Sequence, residues 1–243
     1  TLLKHLDSDL LRYILLNNLQ PGDRVPSLSE LSDSLNISIS KLREQLEVAR
    51  NLGIVDVRPR TGIRCLPFDF MPALRTILFF NIAAQRSMFD HYSNLRVHVE
   101  MAYWHEATAH LSLEDKLALK ALVGRAWDKL RHEHVIIPHA EHRAFHMGIF
   151  QRLENPFVRG ILEGYWEAYE AIEFNRYADY AYLERVWTYH ERIAEELLAE
   201  DHQASLEAFI EHTRLLRHQP NHQETANGAP RSKALPLRHN SKG

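Results

Sequence analysis

SLSELSDSLNISISKLREQLEVARNLGIVDVRPRTGIRCL, residues 27–66, contains the signals from which the fold of the N-terminal part of the chain is predicted. Ser27 followed by Glu30 has the spacing of a capping box and predicts a short helix. Ser38 is a favourable N-cap for the next helix, which should end at Gly53. Two short helices joined by a tight turn are typical of a helix-turn-helix.

The residues on either side complete this unit. An apolar stretch at 6–18 predicts a first helix, and the alternating pattern at 54–58 predicts a β-strand. The turn at 59–62 leads into a return strand at 63–66. Three short helices and a hairpin predict a winged helix-turn-helix over residues 1–66, whose third helix can enter a major groove.

The rest of the chain has a different pattern, of long amphipathic helices. Residues 67–70 are predicted to be a linker and residues 71–218 an all-helical antiparallel bundle, which makes the fold mainly α. The tail at 219–243 has no periodicity and is predicted to be disordered. The expected helices of the bundle lie near 71–84, 86–110, 113–131, 138–153, 157–178, 181–199 and 203–217.

Composition excludes some classes of protein. The net charge of −3 argues against a protein that coats nucleic acid non-specifically, because such binding needs a basic surface. No segment approaches the roughly 18 apolar residues of a membrane span. The single cysteine, Cys65, and the lack of a signal-peptide pattern favour a cytoplasmic protein.

A local excess of positive charge supports DNA binding by the N-terminal domain. Between residues 37 and 66 there are six lysines and arginines against three acidic residues. Ser38, Ser40, Lys41 and Arg43 stand at the start of the third helix, where hydroxyls suit phosphates and guanidinium groups suit base edges. A solvated helix face is the alternative, but the surrounding winged layout favours DNA contact.

Four of the sixteen histidines have a spacing that suits a metal site. His142 and His146 stand at i and i+4 on one helix face. His190 and His212 are equally far from the polar turn near residue 201, so they lie at the same height of a helical hairpin. Buried neutral imidazoles need polar partners, which a divalent cation would supply. The other histidines, His139 among them, show no comparable geometry and are predicted to be ordinary.

The first domain resembles the DNA-binding domain of the GntR family of regulators. The resemblance rests on PGDRVPS at 21–27, on Ile37-Ser38 followed by LREQL at 42–46, and on Gly53-Ile54-Val55 and Gly62. It implies that Ser38, Ser40 and Arg43 contact the operator and that Gly62 approaches the minor groove. Ile39 and Lys41 depart from the residues that are usual in the family. This predicts either an operator half-site that differs from the common one of the family, or DNA recognition that relies on Lys41 and Arg60.

Residues 70–218 resemble the FCD-type ligand domain of the FadR branch of that family. The resemblance rests on Phe145-His146, Asn155-Pro156, His190 and His212, and on RVHVE at 96–100. It implies that His146, His190 and His212 bind a metal and that Arg96 binds the carboxylate of an effector. An ion pair with Glu100 at the surface of a helix is the alternative for Arg96.

The chain departs from the family at His142, where aspartate is usual. More nitrogen ligands favour Zn²⁺ or Ni²⁺ over Mn²⁺. His142 is expected either to ligate the metal or to leave its place to water.

Together these observations predict a regulator that binds a palindromic operator as a homodimer and responds to a metal and a small carboxylate. Two alternatives remain at this point. Three histidines with an open position could make a metal-dependent hydrolytic enzyme, although Glu141 should point away from the ligand face. The metal could also be purely structural.

Overall fold

The computed structural model describes residues 2–172 and 179–216 and confirms a mainly helical fold with a winged helix-turn-helix at its N-terminus. A short 3-10 helix at Leu2–His5 comes first. The other elements of this domain are α1 (Asp9–Leu16), β1 (Arg24–Val25), α2 (Leu28–Leu35), α3 (Ile39–Asn51), β2 (Val55–Arg58) and β3 (Gly62–Cys65).

The ends of these helices follow from their caps. The Ser8 hydroxyl accepts a hydrogen bond from the backbone of Leu11, so α1 begins at Asp9 and not near residue 6 as predicted. Ser27 and Glu30 form the predicted capping box of α2. Asn36 ends that helix in the left-handed region, at φ 53°.

The sheet has a strand that the sequence pattern does not predict. Its order is β1-β3-β2 and both pairs are antiparallel, with Val25 opposite Ile63 and Val57 opposite Ile63 from the other side. The added strand has two residues, too few to show an alternating pattern. It buries Val25 against the wing.

The second part of the chain contains the predicted helices. Their bounds are α4 (Met71–Ala84), α5 (Met88–Ala109), α6 (Leu113–Leu130), α7 (His139–Ile149), α8 (Pro156–Ala171), α9 (Tyr180–Leu198) and α10 (His202–Leu216). Helix α7 is shorter than predicted, because Gln151 and Arg152 leave the helix and donate to Asp115. The predicted end of α8 at 178 and the predicted disordered tail lie outside the described residues.

Helix α9 packs against α6 and α10, while α10 also packs against α5. The turn between α9 and α10 contains Glu200 at φ 62°. Trp104, Phe145, Trp187 and Phe209 belong to the buried core that these helices share. None of the described helices is long and apolar enough to span a membrane.

The two parts of the chain meet at Gly53. This glycine has φ 72° and follows α3, and a Cβ added to it would lie 2.7 Å from Cγ of Pro72 in α4. Glycine is therefore required here by both conformation and space.

Candidate DNA interface and metal centre

Five of the six predicted DNA-contacting residues are exposed, and Gly62 in the wing is partly buried. Ser38, Ser40, Lys41 and Arg43 are exposed on the first turns of α3, and Arg60 is exposed in the wing turn. Ser38 is also the N-cap of α3, with its hydroxyl accepting from the backbone of Lys41 at 3.3 Å. A phosphate would therefore meet the free amides of the first turn beside this serine.

The wing turn has an unusual backbone. Arg60 has φ 69° and Gly62 has φ 77°. A left-handed conformation is uncommon for arginine and ordinary for glycine. Beside the turn, a surface groove of about 420 Å³ is lined by residues that include Arg58, Gly62 and Arg64.

Lys41, one of the residues predicted to contact DNA, forms an ion pair within the protein. The Lys41 ammonium lies 2.9 Å from Oδ2 of Asp9. The same carboxylate accepts from Gln45 at 3.0 Å and pairs with Arg12. Hydrogen bonds from Gln45 and Lys41 hold the pKa of Asp9 well below its usual range. Asp9 precedes the segments that resemble the family, and sequence reasoning missed it.

The structure brings the four predicted metal ligands together. In this four-histidine centre, formed by His142, His146, His190 and His212, one ligand nitrogen from each residue lies within 4.8 Å of the others. The rings of His190 and His212 have centroids 4.5 Å apart, which agrees with their predicted equal height in the α9–α10 hairpin. His142 and His146 come from α7.

Burial decides the protonation of these histidines. His190 and His212 are 0% exposed, His146 1% and His142 7%. Loss of solvation lowers the pKa of all four, to about 3 for His190, and the neighbouring histidines and Arg96 add to the effect for the other three. All four are therefore neutral near pH 7, which is the state in which imidazole binds metals.

Several of their nitrogen atoms lack a protein partner. Both ring nitrogens of His212 and Nε2 of His142 are buried and receive no hydrogen bond. A buried polar atom without a partner costs free energy, and such atoms are rare in folded proteins. The donor set is all nitrogen, so the residues fit a transition metal bound by imidazoles.

Hydrogen bonds from the surroundings decide which nitrogen faces the centre. Nδ1 of His190 lies 2.7 Å from the carbonyl oxygen of Val186 and donates to it, so its Nε2 is free to accept. The Nε2 atoms of His190 and His146 are 3.1 Å apart, which requires the proton on Nε2 of His146. His146 then accepts at Nδ1 from Nη2 of Arg96, at 3.4 Å.

Glu100 also contacts the centre, although the sequence indicated it only as a partner of Arg96. Oε1 of Glu100 lies 3.3 Å from Nδ1 of His146, and Glu100 is 0% exposed. Burial raises the pKa of Glu100 to about 7, with Arg96 opposing the shift. The i,i+4 spacing indicated the pairing of Glu100 with Arg96. Nothing in the sequence indicated that Glu100 lies close to His146.

Arg96 is paired with a buried carboxylate. It forms the ion pair with Glu100, with Nε 3.0 Å from Oε2, but the pair is buried and not at the helix surface. Its guanidinium lies 4.5 Å from the ring centroid of Tyr165 and 5.4 Å from that of Trp166. An effector carboxylate would have to compete with Glu100 for this cation.

Glu141 lies outside the centre, as the sequence predicts. Its Oε2 accepts from Lys129 at 2.7 Å, and this pair lowers its pKa against the effect of burial. The four-histidine centre therefore has Glu100, and not the neighbour of His142 in sequence, as its nearest described carboxylate.

The winged head and the helical bundle define a class of two-domain transcriptional regulators. Residues 3–65 match the family described as bacterial regulatory proteins of the gntR family, and residues 92–215 match the FCD domain. The chain belongs to the GntR family and carries an FCD domain, an architecture that fits the FadR subfamily. The winged domain of this family implies DNA binding, and the FCD domain implies effector binding.

Two solved structures resemble the chain at low sequence identity, and the first of them shows the same fold. Streptococcus agalactiae GntR superposes with a TM-score of 0.60 and 18% identity, covering 86% of this chain and 95% of its own. E. coli McbR/YncC gives a TM-score of 0.47 at 18% identity, covering 89% of this chain and 95% of its own. No curated protein matched the chain.

Proposed function

We propose that this protein is a transcriptional regulator whose helical domain binds a divalent transition metal and a small carboxylate effector, and thereby changes the affinity of the winged domain for operator DNA. The observation that carries the proposal is the convergence of four buried, neutral imidazoles with unpartnered nitrogens. A packed core without a ligand would leave those nitrogens unsatisfied.

His142, His146, His190 and His212 are the proposed ligands. An all-imidazole set favours Zn²⁺, with Ni²⁺ as the second candidate, over metals that prefer oxygen ligands. The bound ion would supply a Lewis acid to which an effector carboxylate could bind. Nε2 of His146 can ligate only when its proton is on Nδ1, and Oε1 of Glu100 is placed to accept that proton's hydrogen bond.

Arg96 is the proposed effector-binding residue. Its guanidinium is held in place by two aromatic rings and lies 3.4 Å from a proposed metal ligand, so a carboxylate could contact both the cation and the metal. An arginine fork also matches the geometry of a carboxylate. Effector binding would draw Arg96 away from Glu100.

The winged domain is proposed to read a palindromic operator through the residues predicted from the sequence, with two copies of the chain acting as a homodimer. These residues are Ser38, Ser40, Lys41, Arg43, Arg60 and Gly62. The coupling between effector and operator is reciprocal, so an effector that weakens DNA binding must itself bind less tightly to the DNA complex.

A purely structural metal is the competing candidate, and the near-complete burial of the four histidines favours it. The two candidates differ in one respect. A structural metal would stabilise the bundle without making any acid bind, whereas a sensing metal would be needed for an acid to bind.

Metal analysis of the purified untagged chain tests the proposal. We expect about one Zn²⁺ or Ni²⁺ per chain, lost in His190→Ala and retained in His91→Ala, which alters an exposed histidine of α5. A wild-type chain without metal would contradict the proposal.

Thermal unfolding with a panel of small organic acids then separates sensing from structure. An acid present at about 100 times its Kd should stabilise the metal-loaded chain by about 2.7 kcal/mol and leave the metal-free chain unchanged. If the metal raises the unfolding temperature but no acid adds to it, the structural alternative stands.

A further inference from the structure

The four-histidine centre is closed on most sides, so a metal needs a route to reach it. Three of its members are at most 1% exposed, and only His142 retains 7%. The accessible side of the centre is therefore the side of His142.

A small cavity lies at this side. It has a volume of about 10 Å³, the space of a single water, and both His142 and His139 line it. The rest of its wall is apolar and comes from α9 and from the segment before α7: Ile137, Pro138, Leu183, Val186 and Trp187. Among the side chains of this wall, only the two imidazoles can ligate a cation.

His139 occupies the outer end of the route. It is the first residue of α7 and is exposed, whereas His142 is buried one turn further along. His139, His142 and His146 follow each other at spacings of three and four residues, so they form one stripe along α7 from solvent to the centre. The sequence predicts His139 to be an ordinary histidine, because spacing alone indicates ligands that surround one point and not residues that line a path.

We propose that His139 is a transient metal ligand, which captures a divalent ion at the mouth of this cavity and passes it to His142. The inference rests on the proposed metal centre and adds the direction from which that centre is loaded. His139 exchanges one ligand bond with His142 and takes no part in the final coordination. It should therefore control the rates of loading and release but not the affinity.

The rate of metal loading tests the route. Co²⁺ is mixed with the metal-stripped full chain in a stopped-flow instrument, and its binding is monitored by visible absorption. We expect His139→Ala and His139→Gln to load about tenfold more slowly than wild type, a barrier increase of about 1.4 kcal/mol. His134→Ala, in the exposed loop before α7, is the matched control and should load at the wild-type rate.

Release provides an independent readout. Because the affinity is unchanged, removal of Co²⁺ by excess chelator should slow by the same factor as loading in both His139 variants. Equal rates in wild type and variants would overturn the route while leaving the centre intact, as would faster loading of His139→Ala through a widened opening. A wild-type chain that binds no Co²⁺ would overturn the metal centre itself.

Discussion

At the scale of single residues, the four-histidine centre depends on groups that would not themselves bind the metal. Nδ1 of His190 is fixed by the carbonyl of Val186, and Nδ1 of His146 lies between Arg96 and Glu100. Since a ligating imidazole needs its second nitrogen protonated and paired, Glu100 determines whether His146 can present Nε2.

Replacement of Glu100 tests this role. We expect Glu100→Gln to weaken metal binding about 10- to 100-fold, measured by competition with a chelating dye, because His146 loses its anionic acceptor. Glu141→Gln is the matched control, since that carboxyl is also buried but pairs with Lys129 outside the centre.

Loss of Glu100 also leaves the buried Arg96 without its counterion, which costs about 3–5 kcal/mol when one member of a buried pair is removed. The double variant Arg96→Met with Glu100→Gln removes both charges and separates stability from affinity. Wild-type metal affinity in the double variant would show that Glu100 does not position His146.

At the scale of elements, Asp9 connects α1 to the helix proposed to read DNA. It accepts from Gln45, which in turn accepts from the backbone of Leu10, and it pairs with Lys41. Lys41 is therefore neutralised in the free protein. To read DNA as proposed, Lys41 must leave this carboxylate.

Salt dependence of operator binding measures the state of Lys41. We expect Lys41→Ala to lower the slope of log K against log salt by about one ion, because the lysine leaves Asp9 on the operator and meets a phosphate. An unchanged slope in Lys41→Ala would mean that the lysine stays paired with Asp9 and does not contact DNA.

The start of α6 is joined to the end of α7 through Asp115. Its carboxylate accepts from the backbone of Ser112, from Gln151 at 2.9 Å and from Arg152 at 3.0 Å. Arg152, followed by the backbone of Ser112, lowers the pKa of Asp115 to about 2. A carboxyl with a lowered pKa stabilises the folded state above its unfolded pKa and loses that effect as the pH falls through the folded value.

Urea unfolding of Asp115→Asn at two pH values tests this contribution. We expect the variant to be less stable than wild type at pH 6 by at most about 1 kcal/mol, since Arg152 is largely exposed and water screens the pair. The difference should shrink as the pH falls from about 4 towards 2. Arg152→Ala should show the same trend, and a difference independent of pH would contradict it.

At the scale of the whole molecule, α4 connects the two domains and exposes apolar side chains. Pro72 packs on Gly53 at the end of α3, and Ile77 and Phe80 on the same helix are 57% and 70% exposed. Exposed large apolar groups beside a domain junction suit a contact between two copies of the chain, as twofold operator binding requires.

Sedimentation of a charged variant tests this contact. We expect the wild type to sediment as a dimer and Phe80→Lys to shift it towards monomer, with at least tenfold weaker operator binding because two half-sites are no longer held together. Phe68→Lys, which alters an exposed phenylalanine outside α4, is the control. A wild-type monomer would contradict the proposed homodimer.

The winged domain, the helical bundle and the four candidate ligand histidines could all be predicted from the sequence. Caps, turns and helical periodicity are local features of the sequence. Because His190 and His212 stand equally far from the turn at 201, the geometry of a hairpin places them at the same height. These features need no knowledge of distant contacts, whereas the meeting of His142 and His146 with this hairpin was implied only by the resemblance to the FCD domain.

The surroundings of these residues are visible only in the folded molecule. The pairing of β1 with β3, the hold of Asp9 on Lys41, the approach of Glu100 to His146 and the place of His139 at the mouth of a cavity all join or align parts of the chain through packing. Such contacts depend on how helices cross and rotate, which spacing along one chain does not fix. The physical reason is that periodicity specifies which face of a helix is buried, whereas the partner across that face is set by the packing of the whole bundle.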